Sequence, residues 1–392
     1  MAALPKVEKR EQIAGVLEAI CQRLELTETQ YEAAKSRYET IGKWLAEADD
    51  IFLRNCKIYP QGSMNLGTSV RPIGRSEYDV DLICHVPHLS PNSPPEYLKR
   101  LVGDRLKLNG RYAPEEKGRC WRIKYANEFH LDITPSIRNP GCAYGGEYVP
   151  DKVQLEWKPS NPKGYQAWFE ERAELRPIFV FEKAMQAEFS EMRASVEPFP
   201  YNEPLKGYLK RCVQICKHHR DKHFTSTPAI APISVILTTL AAKSYKYAIS
   251  KKMYESDLDI LLDVVRYMPF FIEQKQILGK RTYYVWNETT TGENFAEKWN
   301  QDENLSMAFY NWHASALKQL EELPLVEGFD TLHKSLNTCF SESVVSDACS
   351  KFTTSISRAR TSGTLSIIPG VGLASSSSGI KVPSNTFYGK ED

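Results

Sequence analysis

The sequence predicts an α+β fold, in which a region of strands and helices is followed by a mostly helical half. Two stretches alternate apolar and polar residues as strands do, at 78–83 and at 129–134. From Leu205 onward the pattern becomes mostly helical. The apolar fraction of 42% includes 20 Tyr and 16 Phe, which is enough for a large core. The 392 residues allow two or three domains, or one large unit with two lobes.

Composition and charge narrow the classes of function. The formal net charge of +1 argues against a generally basic nucleic-acid binder, although a local basic groove stays compatible with it. No stretch is apolar for long enough to predict a membrane span, and the charged N-terminus lacks the apolar core of a signal peptide. The nine cysteines are scattered, which favours reduced thiols in a cytoplasmic protein without a membrane partner.

Two helices are predicted before the first strand. The first covers residues 6–24, where apolar residues recur on one side. The second begins after Thr27, because Thr27 and Gln30 fit a capping box. Apolar residues then recur at spacings of three and four to about Asn55. A helix of this length suits a spine that packs two lobes together.

The strand at 78–83 carries two acids that flank one apolar residue. Residues i and i+2 of a strand point to the same face, so Asp79 and Asp81 share a face while Val80 points to the core. Two adjacent carboxylates repel each other unless a cation lies between them. Mg²⁺ prefers such oxygen ligands together with substrate phosphates. The upstream turn at Gly62 and Ser63 offers N–H groups and a hydroxyl to a phosphate.

The second alternating stretch supplies a third carboxylate. His130, Asp132 and Thr134 fall on one face of the strand at 129–134, and the run 121–125 before it is also strand-like, with a turn at 126–128. Three aspartates on neighbouring strands can hold two metal ions ~4 Å apart, the arrangement for in-line displacement at phosphorus. Asp151 or a glutamate could take the place of Asp132.

A basic helix is predicted across 206–220, in the helical half. Its face carries Cys212, Cys216, His219 and His223, which have the spacing of one helix side. A single helix cannot surround a tetrahedral metal ion, so an ordinary helix face is favoured over a metal centre.

Gly62 and Ser63, the Asp79 and Asp81 pair and the later Asp132 resemble the pattern of the nucleotidyltransferase superfamily related to DNA polymerase beta. Within it, the runs QGSMNLGTSVRP and YDVDLI are similar to the bacterial CD-NTases, the DncV-like relatives of cyclic GMP-AMP synthase. The resemblance implies a bilobal polymerase-beta-like fold with a mixed sheet, flanking helices, an N-terminal spine helix and a helical C-terminal lobe. We expect the N-terminal helices and catalytic core in 1–200, the helical lobe in 201–360 and a flexible tail in 361–392.

The resemblance also implies roles for individual residues. Asp79, Asp81 and Asp132 would be catalytic and hold two Mg²⁺ ions, with Mn²⁺ as a substitute. The donor nucleotide would be bound by Gln61, Gly62, Ser63, Lys217 and Ser234. Two of these assignments leave alternatives open: Lys210 could replace Lys217, and Ser234 could only cap its helix.

The implied reaction joins NTPs, with ATP expected among them, into a cyclic di- or trinucleotide second messenger and releases pyrophosphate. The messenger would act on a downstream effector in antiphage defence of the CBASS type. Two alternatives remain at this stage. The first is transfer of a nucleotide to another acceptor, such as an RNA 3′ end or a small molecule. The second is a catalytically silent sensor that only binds NTPs.

Past Arg360 the chain becomes rich in glycine and serine, which predicts the flexible tail. In some CD-NTase systems, ubiquitin-transfer-like partner proteins engage the C-terminus of the enzyme. By resemblance, we expect the tail of this chain to be such a handle.

Overall fold

The computed structural model describes residues 6–74, 78–125, 129–153, 155–180, 207–363, 365–368, 372–375 and 380–381. The turn predicted at 126–128 and the lobe boundary predicted at 200–201 lie outside the described residues. Most of the segment from residue 376 onward, expected to engage partners, lies outside them as well.

The helices of the described residues are α1 (Lys6–Leu24), α2 (Glu28–Ala46), α3 (Gly62–Asn65), α4 (Pro95–Lys107), α5 (Pro162–Ala173), α6 (Tyr208–His223), α7 (Ser234–Lys251), α8 (Asp257–Tyr267), α9 (Glu303–Glu322), α10 (Phe329–Cys339) and α11 (Glu342–Thr361). The strands are β1 (Lys57–Gln61), β2 (Tyr78–His85), β3 (Glu115–Glu116), β4 (Trp121–Tyr125), β5 (Phe129–Arg138), β6 (Glu147–Asp151), β7 (Glu156–Ser160), β8 (Glu273–Ile277), β9 (Lys280–Tyr284), β10 (Leu365–Ile368), β11 (Gly372–Ser375) and β12 (Ile380–Lys381). Short 3₁₀ turns lie at Leu53–Asn55, Pro228–Ile230, Met268–Phe271, Glu297–Asn300 and Leu323–Leu325.

Strands β1 to β7 form one mixed sheet, as the fold class predicts. The main order is β1-β2-β5-β4-β3, and β6 joins the far end of β5 and pairs with β7. Only the β2–β5 pair is parallel; the neighbouring pairs, including β1–β2 and β4–β5, are antiparallel. The parallel pair lies in the middle of the sheet, with its apolar side chains buried on the side of α2 and α4.

The two N-terminal helices form as predicted, except at the end of α2. Its capping box is present, because Thr27 accepts from the backbone of Gln30 while the Gln30 side chain accepts from the Thr27 backbone. The helix ends at Ala46 instead of continuing to about Asn55. The Asp50 carboxylate accepts the backbone N–H groups of Phe52 and Leu53, which stabilises a turn where the helix was expected.

Two hydrophobic cores divide the described residues. One core lies between the sheet and helices α2 and α4, and includes Ile41, Leu82 and Ile133. The other lies in the helical half, and includes Ile20 of α1 and Trp312 of α9. The two N-terminal helices therefore belong to different cores: α1 packs into the helical half and α2 onto the sheet. The helix expected to be a spine, α2, therefore packs on the sheet, and α1 is the helix that packs into the helical half.

Three short strands lie within 361–392, the segment that was expected to be a flexible tail. Strands β10, β11 and β12 form a small antiparallel sheet in the order β11-β10-β12. Strand β11 lies against α1 and α11. Short runs such as Leu365–Ile368 interrupt the glycine and serine, and pairing between them satisfies backbone groups that composition alone leaves exposed.

The described helices include none with the length and hydropathy needed to cross a membrane.

Candidate active site

The central parallel strands bring the predicted acids together. In the pairing of β2 with β5, Asp81 lies directly beside Asp132, and Asp79 lies beside His130. Asp132 is 8% exposed, whereas the Asp79 side chain is 54% exposed. The acids share the face of the sheet that is opposite to Val80 and Leu82, because side chains alternate along a strand. The structure therefore places all three predicted aspartates in one cluster.

The turn at Gly62, which follows the neighbouring strand β1, lies against the acid cluster. Strand β1 ends at Gln61, which pairs with Asp81, and α3 begins at Gly62. Gly62 has a φ of +69°, and a Cβ atom at this position would lie 2.2 Å from Oδ2 of Asp81. Only glycine allows this backbone to approach the carboxylate so closely. The turn thus brings the Gly62 backbone beside the Asp81 carboxylate, and the next residue, Ser63, accepts a hydrogen bond from the Ser69 hydroxyl at 3.3 Å.

Like charges oppose each other within the cluster. Burial of Asp81, together with the neighbouring Asp132 and Asp79, raises its pKa from 3.8 to about 7, although Arg122 and Lys217 act in the opposite direction. A carboxyl group in this condition gains from a cation, because a cation stabilises its ionised form. The set of carboxylate oxygens suits a hard divalent ion. The residues present therefore fit the pair of metal ions that the resemblance implies.

An arginine that the sequence interpretation missed completes the electrostatics. Arg122 on β4 donates to both oxygens of Asp132, with Nε–Oδ1 and Nη2–Oδ2 distances of 2.7 Å. The same Nη2 lies 3.2 Å from Oδ1 of Asp79. The predicted hairpin contains the signal for this contact, since its register places position 122 directly opposite 132. Within the described residues, no three His, Cys, Asp or Glu side chains are arranged so that they could hold a metal ion as they stand, and Arg122 bridges two of the acids.

Lys217 on α6 reaches the same region from the helical half. It is 3% exposed, and its Nζ donates to the backbone oxygen and the hydroxyl of Thr68, both at 3.1 Å. Burial, assisted by Arg220, lowers its pKa from 10.5 to about 7, while Asp221 and Asp81 act to raise it. Lys210, the alternative, pairs instead with Glu170 at 3.0 Å.

The remaining predicted nucleotide-binding residues lie on nearby segments. Ser234 is the first residue of α7, and its Oγ lies 3.2 Å from Nη1 of Arg220. Because arginine can only donate, the Ser234 hydroxyl proton stays available to a further acceptor. Ile233 occupies the N-cap position, so Ser234 is not the helix cap. Gln61 Nε2 lies 3.4 Å from the Thr134 hydroxyl.

On the cysteine and histidine face of α6, Cys212, Cys216 and His219 belong to the core, whereas His223 is exposed. His219 lies 2.9 Å from Oε1 of Gln319, and its other ring nitrogen accepts from the Trp312 indole at 3.1 Å. Burial lowers the pKa of His219 from 6.5 to about 4. Asp151, the alternative third acid, accepts from Arg119 at 3.0 Å and is not part of the aspartate cluster.

Comparison with known proteins places this geometry in a family. Residues 12–173 match the Second Messenger Oligonucleotide or Dinucleotide Synthetase domain. A protein of Roseivirga ehrenbergii named c-di-GMP synthase is 30% identical over 330 residues, which cover 82% of this chain and 82% of that protein.

Solved structures show the same fold. The Bradyrhizobium diazoefficiens CD-NTase CdnG, in complex with GTP, matches with a TM-score of 0.65 and 20% identity, over 87% of this chain and 99% of that chain. CdnC of E. coli MS115-1, in a complex with HORMA-deltaN, matches with a TM-score of 0.58 and 13% identity, over 86% of this chain and 97% of that chain.

These matches extend over the sheet and the helical half alike, and the CD-NTase structures have the polymerase-beta-like fold. The relatives are synthases of cyclic dinucleotides. The chain belongs to the CD-NTase family, and it is a nucleotidyltransferase that synthesises cyclic oligonucleotides.

Proposed function

We propose that this synthase joins two GTP molecules into cyclic di-GMP, uses Mg²⁺ for the transfer and acts in antiphage defence. One observation carries the choice of product: the c-di-GMP synthase of Roseivirga ehrenbergii is 30% identical over 82% of this chain. That similarity extends over 330 residues, well beyond the catalytic strands. The antiphage role is the expectation for the family.

The donor nucleotide is bound between the sheet and α6. Gln61, Gly62 and Ser63 place backbone N–H groups and a hydroxyl beside Asp81, where a triphosphate has donors available. Lys217 on α6 reaches Thr68, which follows this turn in the chain, and the charge of a triphosphate would favour its protonated form. The Ser234 hydroxyl, which accepts from Arg220, can donate to a phosphate oxygen.

The three aspartates act on the transfer step. Asp79, Asp81 and Asp132 would hold two Mg²⁺ ions, which when bound supply charge neutralisation at the phosphates and activation of the ribose hydroxyl. Asp132 and Asp81 lie side by side on parallel strands, so their carboxylates are fixed relative to each other. This fixed arrangement suits a reaction that depends on positioning and electrostatic stabilisation.

A partner protein acting on the C-terminal tail stays a prediction. CdnC, which shares the fold, has been solved with HORMA-deltaN, so a relative of this fold does assemble with a protein. We expect that deleting residues 376–392 spares basal synthesis and abolishes capture by a ubiquitin-transfer-like partner. If the partner captures the truncated chain as well as the full chain, the prediction that the tail is the segment it engages would be contradicted.

The product is tested by incubating the full chain with the four NTPs, labelled one at a time, in Mg²⁺ or Mn²⁺. Phosphatase treatment then removes linear products, and chromatography separates the rest. We expect one resistant product that requires only GTP and comigrates with cyclic di-GMP. A resistant product that also requires ATP would contradict the choice of bases but keep the synthase activity.

Asp132→Asn is the matched inactive variant, since it keeps the size of the side chain and removes its charge. We expect this variant to yield no resistant product. Transfer to an added RNA 3′ end, without any cyclic product from GTP, would favour the alternative acceptor.

A further inference from the structure

The Asp132 carboxylate is held by Arg122 with a geometry that fixes its plane. The guanidinium donates Nε to one oxygen and Nη2 to the other, both at 2.7 Å. Paired bonds of this kind are among the most directional that proteins form. Asp132 is 8% exposed and belongs to a packed central strand, so the fork adds to an orientation already restricted by its surroundings.

The fork leaves room for a metal ion. A carboxylate offers about four lone-pair sites, and Arg122 uses one on each oxygen of Asp132. The Cys120 thiol also hydrogen-bonds to the Asp132 carboxylate, and the lone pairs that remain stay available to a cation. Asp79 is held differently, since its single contact with Arg122 is 3.2 Å long and its side chain is 54% exposed. Asp79 can therefore turn toward a metal while Asp132 stays in place.

Arg122 also supplies the positive charge nearest to the acids. Together, Asp79, Asp81 and Asp132 would carry three negative charges, and the guanidinium offsets one of them. A divalent ion that enters the cluster meets this fixed cation, and like charges at such short range weaken its binding.

We propose that Arg122 is a positioning residue with two effects: it orients Asp132 for the metal, and it is a built-in counter-cation that lowers the affinity of the acid cluster for divalent ions. The inference rests on the proposed metal-holding role of the three aspartates. The guanidinium offsets part of the repulsion among the three acids. It also makes metal binding depend on the triphosphate, because the negative charge of the triphosphate compensates for the positive charge of Arg122.

A purely structural ion pair predicts a different result. In that case, loss of Arg122 would lower stability and leave the affinity for metal unchanged. The two hypotheses predict different Mn²⁺ affinities for variants of Arg122. These affinities are measured directly, without nucleotide, by following free Mn²⁺ with electron paramagnetic resonance.

The variants are Arg122→Gln and Arg122→Lys, with Arg119→Gln as the control. We expect Arg122→Gln to bind Mn²⁺ on the order of tenfold more tightly than the wild type, because a nearby positive charge is removed. Its Mn²⁺-induced rise in melting temperature should also be larger. Arg119 pairs with Asp151 outside the cluster, so Arg119→Gln should leave Mn²⁺ binding unchanged.

Arg122→Lys keeps the charge and loses the paired bonds. We expect its Mn²⁺ affinity to stay close to that of the wild type, while kcat falls about tenfold or more with little change in the KM for GTP. This variant keeps the test decisive if Arg122→Gln does not fold.

Equal Mn²⁺ affinity and equal thermal shifts in the wild type and Arg122→Gln would overturn the inference, as would tighter Mn²⁺ binding by Arg122→Lys. Asp132→Asn separates this failure from failure of the proposed function. If Asp132→Asn binds Mn²⁺ as well as the wild type does, Asp132 holds no metal, and both the inference and the metal-holding role are overturned.

Discussion

The acid cluster on the sheet and the histidines of α6 are both groups of potential metal ligands, but their surroundings differ. The nitrogens of His219 have neutral partners, in the Gln319 amide and the Trp312 indole. Burial keeps this imidazole uncharged by lowering its pKa to about 4. Asp81 instead lies beside two further acids, and burial and repulsion raise its pKa to about 7.

The difference shows what separates a structural cluster from a reactive one. A histidine that is neutral and hydrogen-bonded contributes to packing and needs no ion. Acids that repel each other are unfavourable by themselves and are retained where a cation or substrate compensates for them. Electrostatic conflict, more than the presence of ligand-type residues, therefore marks the candidate active site.

The sharpest way to break this comparison is Asp81→Asn. We expect turnover to fall by at least about 10³-fold, because the cluster loses a charge that the transfer step depends on. Without metal, the melting temperature should stay equal or rise, since repulsion with Asp79 and Asp132 is relieved. Synthesis from labelled GTP and thermal unfolding in EDTA measure the two effects.

The control for this variant is Asp104→Asn, which changes an exposed acid on α4. It should alter neither turnover nor melting temperature. A marked fall in the melting temperature of metal-free Asp81→Asn would show that the acid stabilises the fold, and the contrast with the histidines would fail.

The sequence predicted the acid cluster well, because its signal is local. Strand alternation places Asp79 and Asp81 on one face, and a second alternating run identifies Asp132. The exact neighbour of Asp81 depends on which strands pair, and the parallel β2–β5 pair is a tertiary feature. Arg122 was missed because its role arises from hairpin register, which requires the turn length as well as the strand pattern.

Other parts were harder to predict for different physical reasons. The early end of α2 depends on a side-chain contact of Asp50, which competes with a helical pattern that would otherwise continue. The strands of 365–381 are too short to stand out in a sequence rich in glycine and serine. The hydrogen-bond partners of His219 are Gln319 and Trp312, which lie about 100 residues away along the chain.

Lys217 offers a second way to sharpen the comparison, because it lies on the same helix as the histidines but reaches Thr68 beside the acid cluster. We expect Lys217→Met to lower kcat/KM for GTP by roughly tenfold to 10²-fold, since a donor to the triphosphate is lost. Lys210→Met is the matched control and should have little effect. Steady-state kinetics decide between them, and a larger loss in Lys210→Met would reverse the assignment.

His219→Ala tests the structural side of the comparison. Removing the imidazole leaves the Trp312 N–H without an acceptor and creates a cavity in the helical core. We therefore expect the free energy of unfolding to fall by about 2–4 kcal/mol. Turnover per folded molecule should stay close to that of the wild type. Urea unfolding measures the first quantity, with the exposed His88→Ala as the control. Loss of activity in the folded variant would contradict a purely structural role.

The smallest expected effect is a difference in pH dependence between two neighbours on α6. The pKa of Lys217 falls from 10.5 in the unfolded chain to about 7 in the folded protein, so unfolding takes up a proton between these values and stability rises with pH across that window. For His219 the pKa falls from 6.5 to about 4, which places the rise between pH 4 and 6.5. Each slope is at most about 1.4 kcal/mol per pH unit, the limit for one proton.

Urea unfolding in EDTA, measured at each pH, compares the two variants with the wild type. Lys217→Met should lack the rise in stability in the upper pH window, and His219→Ala should lack the rise in the lower window. Since a triphosphate favours charged Lys217, adding GTP should weaken the upper window and leave the lower one intact. If GTP also changes the pH dependence of stability between pH 4 and 6.5, the protonation of the histidines would depend on the substrate as well.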